Sequence, residues 1–236
     1  RYPLADLTRH ANIVLAPVDV SAFTLAQQWR LPGRIRTLAA DAFHAPYYIY
    51  PYWLPCPTLV AVFDIISHTH PQYLPSLRAR LVFEVATRLA LRSARRVLVP
   101  SQATAEALQH AYRVPASKVM VTPLGVEARF RPAAPEVVAR VRARYNLPKR
   151  YVLYLGSNKP HKNLVHLVEA WAEVVERQNE GVALVIAGYS DPRYPQARER
   201  ALALGLAHAL RFLGPVAEGD LPALYSGARC FAFPSL

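Results

Sequence analysis

Apolar positions along this chain come in two alternating kinds of run. Short continuous runs rich in Val, Ile and Leu recur near 12–16, 58–63, 96–100, 118–123, 151–155, 182–187, 210–213 and 229–233, each bounded by Gly, Pro or a capping residue. Continuous apolarity of strand length is what a sheet shows when helices cover both of its faces. Between these runs, apolar residues recur at helical spacing near 2–10, 19–30, 76–94, 102–112, 135–146, 163–179, 194–205 and 218–227. Strand and helix alternating from end to end is the pattern of parallel α/β sheets, and two Rossmann-like layers accommodate it.

A break falls after Pro123-Leu124-Gly125, where Pro132, Pro135 and Pro148 punctuate the chain before the strand at 151. Proline cannot extend a central strand and disfavours helix in the residue before it, so a hinge is expected near 124–134. Residues 1–127 and 128–236 are then two domains. The stretch HAPYYIYPYWLP, carrying Tyr47 to Trp53, holds two prolines that make it loop or sheet edge. Its aromatics suit stacking on a sugar ring and suit core or interdomain packing as well.

Composition removes several classes. With 236 residues, 53% of them hydrophobic and 19% charged, the chain is neither disordered nor fibrous. Its longest apolar runs are strand-sized, far short of the roughly 20 residues of a spanning helix. Cys56 and Cys230 are too few for a disulfide framework, and the sequence from Arg1 shows no leader, so a reducing, cytoplasmic setting is expected. The net charge of +12 is concentrated: residues 71–150 carry fifteen Lys or Arg against four acids, whereas 151–236 carry eight of each. A local anionic partner follows more naturally than a diffuse solubility effect.

The sharpest chemical signal is YVLYLGSNKPHKNLVHLVEAW, residues 151–171. An apolar strand runs into Gly156, then a polar loop with Lys159, His161 and Lys162, then Asn163 as a helix cap and an amphipathic helix. Free backbone N–H groups and a lysine at the carboxyl edge of a parallel sheet are a setting for pyrophosphate. An ordinary strand-to-helix turn with surface lysines is the alternative. Neither GxGxxG nor GxxxxGK[ST] occurs, which weakens dinucleotide and P-loop readings.

Five segments in order now carry a resemblance. GSNKPHKN resembles a GTxxPRKN loop, VLVPSQAT a strand ending in Ser at a helix start, and VTPLGVEARFRP an xxPNGVDxxFxP hinge. FDIISHTHPQYLP is similar to HDLxPLxHPExxP, and RFLGPVAEGDLPALYSGARCFAFPSL to xxxLGxVxxxxLxxLYxxAxxxxxPSx. Together they resemble the retaining glycosyltransferases of family 4 over residues 40–236. The resemblance implies a GT-B fold, two Rossmann-like domains with parallel sheets facing a cleft, the second domain incomplete in this chain. It implies transfer of a hexosyl group from a nucleotide sugar to a saccharide or lipid-linked acceptor with retention, in polysaccharide or glycolipid synthesis. No cofactor or metal ion is implied. The PRKN-type loop leans towards mannosyltransferases and GDP-mannose.

Carried over by position, Lys162 falls on the family lysine that neutralises the donor diphosphate. Gly156, Ser157, His161 and Asn163 fall on the rest of that loop, Gly214 and Val216 on the turn against the nucleobase, and Ser235 on the PSx motif. His161 stands where the family has arginine, and a largely neutral imidazole implies weaker leaving-group stabilisation. The family histidine near the transferred sugar falls on Phe63, while the following acid is retained as Asp64. Asp64 either contacts hydroxyls of donor or acceptor or is a structural acid at a strand end. His68 joins it as an acceptor-side candidate, and His70 matches a capping or packing pair. The resemblance places an ExFG…E segment after PSL and glycines before Arg1-Tyr2, so a chain ending at Leu236 is expected not to complete the catalytic site.

A second class of function rests on charge. Arg88, Arg92 and Arg95 fall at i, i+4 and i+7 of a helix whose other side carries Leu81, Val85 and Leu89. That face suits an anionic membrane surface, and equally a solvated arginine face beside a core stripe. A non-catalytic sugar-nucleotide or anionic-surface module built on the same fold is therefore the competing reading. Nucleic acid is not expected, because no aromatic recognition pattern or helix-turn-helix accompanies the charge.

Overall fold

The computed structural model describes residues 10–21, 23–74, 76–177 and 181–236. The chain divides after Gly125 into two compact units. In the first, helix α1 (Gln27–Thr37) is followed by strands β1 (Phe43–Ala45) and β2 (Thr58–Ala61), helix α2 (Leu77–Ser93), strand β3 (Arg96–Val99), helix α3 (Gln102–Tyr112) and strand β4 (Val119–Val121). The second runs α4 (Pro135–Arg144), β5 (Arg150–Leu155), α5 (Leu164–Arg177), β6 (Val182–Ala187), α6 (Gln196–Ala203), β7 (Leu210–Gly214), α7 (Leu221–Gly227) and β8 (Cys230–Phe231). Every strand pairing is parallel, in the orders β1-β2-β3-β4 and β7-β6-β5-β8.

Continuous apolar strands bury both faces, as the sequence pattern requires. On β5 and β6, Tyr154, Leu184 and Ile186 pack under α5 and α6 with Val168 and Trp171. Their neighbours Tyr151, Leu153 and Val185 point the other way, to Val141 and Leu224 of α4 and α7. In the first unit one core gathers Val60, Val97, Val99, Ala90 and Leu108. Helix starts are fixed by hydroxyls: Ser76 Oγ accepts from Ala79 N at 3.1 Å and Ser101 Oγ from Thr104 N at 3.2 Å, each worth about 1 kcal/mol.

Several elements differ from the pattern-based expectation. Residues 12–16 form no strand, and Val14 is 85% exposed; the strand beside β2 on that side is β1. The helix expected at 19–30 lies at Gln27–Thr37 and runs through Pro32, giving up the bond that proline cannot donate. Apart from His10, the helix expected at 2–10 lies outside the described residues, as does the end of 163–179 beyond Arg177. Tyr48 and Tyr50 of the aromatic stretch are core residues, while Trp53 is 73% exposed.

Candidate functional site

In the second sheet the chain moves outward from β5 to β6 and β7, then returns to add β8 on the opposite side of β5. The carboxyl ends of β5 and β8 therefore flank a topological switch point, where open α/β sheets hold their ligands. The loop that leaves β5 there, residues 156–163, is fixed from three directions.

Glycine closes the first contact. Gly156 N donates to Ala187 O at 3.0 Å and Gly188 N to Gly214 O at 2.8 Å, so the ends of β5, β6 and β7 are laced in series. Gly188 holds φ 118°, and a Cβ there would lie 2.2 Å from Gly156 O. No other residue fits this approach.

Asn158 makes the second. Its Nδ2 donates to the carbonyls of Asp191 (2.9 Å) and Tyr194 (2.7 Å), and its Oδ1 accepts from Asp191 N (2.7 Å). Asp191 is in turn gripped by Arg193, whose Nη2 reaches Oδ2 at 2.6 Å. The Arg193 hydrogen bonds hold the Asp191 carboxyl down at about 2. Beneath the loop, Tyr154 donates its hydroxyl to Ser157 O at 2.8 Å, and burial pushes that phenol up to about 12.

The third contact comes from the segment after β8. His161 O accepts from Leu236 N at 2.9 Å and from Ser235 Oγ at 3.2 Å. Lys162 Nζ stands 4.9 Å from the Phe233 ring, which stacks on Tyr154 and Phe231 at 5.8 Å each. Pro160–Lys162 is a single 3-10 turn and Asn163 follows at φ 59°, so Asn163 enters α5 from the left-handed region rather than from the extended backbone of an N-cap. Its carbonyl accepts from Leu167 N at 3.2 Å.

Gly156, Ser157, His161, Lys162, Asn163 and Ser235 thus share the β5–β8 edge. Gly214, left-handed at φ 72°, lines a neighbouring cavity of about 270 Å³ with Gly156, Asn158, Gly188 and Asp191. Val216 packs its side chain onto the core around Leu153 and Leu224. Sequence reading did not single out Asn158, Asp191 or Arg193. The Asn158 latch joins residues 33 positions apart, and nothing local in NKP signals the partner.

The remaining candidates lie in the first unit. Asp64 Oδ1 accepts from Ile66 N at 3.0 Å, closing a turn after β2. His68 Nδ1 lies 3.1 Å from Glu84 Oε2, and Tyr112 donates to the same oxygen at 3.0 Å. Arg88 pairs with Glu84 at 2.8 Å. The expected arginine triplet on one helix is corrected: α2 ends at Ser93, Ala94 is extended, and Arg95 leads into β3 with its N bonded to Thr58 O. The expected placement of the apolar stripe is corrected too: at about 100° per residue, Leu81 and Val85 fall on the same side of α2 as Arg88 and Arg92 rather than opposite them, and they form no core stripe. Leu81 and Val85 are 65% and 46% exposed, and the buried face of α2 is Ala86, Thr87, Ala90 and Leu91.

Two α/β units, each built on a parallel sheet, with a lysine-bearing strand-to-helix loop at the switch point of the second, have the GT-B type fold of glycosyltransferases. The chain belongs to glycosyltransferase family 4: that family's model matches residues 3–130, and the "Glycosyl transferases group 1" model matches residues 139–236. It is 28% identical over 223 residues to O-antigen chain mannosyltransferase B of Escherichia coli, covering 93% of this chain and 57% of the relative. It is 38% identical over 122 residues to a GDP-mannose-dependent alpha-(1-6)-phosphatidylinositol monomannoside mannosyltransferase of Mycobacterium tuberculosis, covering 51% of this chain and 31% of the relative. Among solved structures, Anabaena Alr3699/HepE in complex with UDP-glucose superposes with a TM-score of 0.71 at 23% identity, covering 93% of this chain and 60% of that one. The glycosyltransferase WaaG superposes at 0.67 with 16% identity over 92% and 61% of the two chains. The chain thus spans less than two thirds of the length of these proteins. Among the described residues no helix is long and apolar enough to cross a membrane.

Proposed function

We propose that the protein transfers mannose from GDP-mannose to a saccharide or lipid-linked acceptor with retention at the anomeric carbon. In this reading residues 128–236 contribute donor contacts and residues 1–127 acceptor contacts, with Asp64 and His68 on the acceptor side. The observation that carries it is the loop 156–163, which presents Lys162 beside Ser235 at the switch point of the second sheet. The mannosyl lean comes from the two relatives just described, one of them GDP-mannose-dependent.

In the reaction, the C1–O bond to the diphosphate breaks, an acceptor hydroxyl oxygen bonds to C1, and the hydroxyl proton passes to the departing diphosphate, which leaves as GDP. Negative charge grows on the departing phosphate, and the Lys162 ammonium meets it where the backbone is already held by Gly156, Asn158 and His161. No metal ion is required. Arg88 and Arg92, with Leu81 and Val85 exposed on the same side of α2, would keep the protein peripheral on an anionic membrane.

Calorimetric titration of this chain, and of a longer protein carrying it, with GDP, UDP and their sugar conjugates tests the reading. Binding of GDP-mannose that survives a chelator and weakens about tenfold or more in Lys162→Ala is the expected result, given the worth of one hydrogen bond to a charged group. Failure of both proteins to bind any nucleotide overturns it in favour of the non-catalytic module.

A further inference from the structure

The amino edge of the first sheet, opposite the carboxyl ends of its strands, carries a second concentration of cations. Here α2 and α3 both end and β4 begins. A cavity of about 330 Å³ opens between them, walled by Tyr112 and Val114 and ringed by Arg88, Arg92, Arg113 and Lys118. None of its lining residues is acidic. Glu84, one turn from Arg88, is shared among Arg88, His68 and Tyr112.

One of these cations sits where folding alone would not choose it. Arg113 caps α3 in the left-handed conformation, φ 54° and ψ 37°, a position that favours glycine or asparagine. Lys118 Nζ donates to the Arg92 carbonyl at 3.0 Å, and burial lowers its pKa below the ordinary lysine value. Helix C-termini attract cations, and the Lys118 bond meets that need for α2. Compensation of two helix ends does not require four cations around one cavity, nor a strained arginine.

We propose that this cavity binds a phosphate monoester or diester group, a second anion site distinct from the loop at 156–163. Guanidinium forks from Arg92 and Arg113 match tetrahedral oxygens, Lys118 adds a point charge, and Tyr112 and Val114 accommodate a compact organic body. The inference rests on the first unit alone and stands or falls independently of the transferase reading. Free phosphate esters and phospholipid head groups share the chemistry. Leu77, Leu81, Val82 and Val85, exposed along α2 next to Arg88, place apolar surface beside the cavity.

Glycerol phosphate, glycerol, and vesicles of phosphatidylglycerol or phosphatidylcholine are the probes. Glycerol phosphate is expected to bind and glycerol not. Arg113→Gly and Lys118→Met should each weaken binding about tenfold, the effect of losing one charge-assisted contact. Arg113→Gly should at the same time melt higher than the parent, because glycine relieves the left-handed backbone. Loss of affinity with gain of stability is an outcome a purely structural arginine cannot give. Binding of phosphatidylglycerol vesicles that is lost in the same variants assigns the head-group source, and binding of glycerol phosphate alone assigns the free one. Absence of binding to both, or variants that bind like the parent, overturns the proposal.

Discussion

Replacing Gly188 with alanine tests whether the site loop is set by the glycine contact between β5 and β6. The new Cβ would lie 2.2 Å from Gly156 O, 2.9 Å from its carbonyl carbon and 3.0 Å from its nitrogen. The shortest of these is roughly 1 Å inside van der Waals contact. Neither backbone can yield cheaply, since Gly156 N is bonded to Ala187 O and Gly188 N to Gly214 O. A side chain at φ 118° adds backbone strain of about 1–3 kcal/mol, and overpacking about as much again, so a loss of roughly 3–4 kcal/mol is expected. In a unit of roughly 110 residues that lowers the melting temperature by about 15–25 °C. Differential scanning calorimetry reads it directly. Gly33→Ala is the companion: it lies within α1 with nothing within 4 Å of its Cβ, and should stabilise by about 0.5–1 kcal/mol. If Gly188→Ala melts within about 3 °C of the parent, the edge is not closed by this contact and the reasoning fails.

Asn158→Leu removes both donated bonds to the 188–195 loop and the one accepted from Asp191 N, leaving polar groups unpaired; denaturant titration should show a loss of about 2–3 kcal/mol, with weaker nucleotide binding. For Asp191 the folded carboxyl at about 2 lies below its ordinary 3.8, so its contribution is present above 3.8 and is lost as pH falls from 3.8 towards 2. The stability of Asp191→Asn, followed by melting temperature across that range, should therefore fall less steeply with acid than that of the parent.

Legibility in the sequence followed the range of the interactions involved. Strands such as Arg150–Leu155 and Val182–Ala187 were readable because double-sided burial writes apolarity into consecutive positions. Strand Phe43–Ala45 was not, being three residues with an exposed histidine at its centre, and its place beside β2 depends on neighbours. Residues 12–16 show the converse, an apolar run without a ladder to join. The core reading of the α2 stripe failed for a related reason. Leucines at helical spacing specify a face, but the face that is buried carries Ala86, Thr87, Ala90 and Leu91, of which Ala90 and Leu91 share a core with Val60 and Val97 of the sheet.

The site was legible only in its chemistry, because its shape is imposed from far along the chain. Lys162 and Asn163 announce themselves in a dozen residues, yet the loop bearing them is held by Gly188, Asp191 and Leu236. Those contacts follow from strand order: β6 on one side of β5 delivers Gly188 and Asp191, and β8 on the other delivers Phe233 and Ser235. A loop at a switch point thus receives one wall from each direction of winding. Substitutions in the 188–195 loop, dozens of residues from Lys162 in sequence, should consequently act on the same ligand as substitutions in the lysine loop itself, by moving the backbone on which the ammonium is mounted.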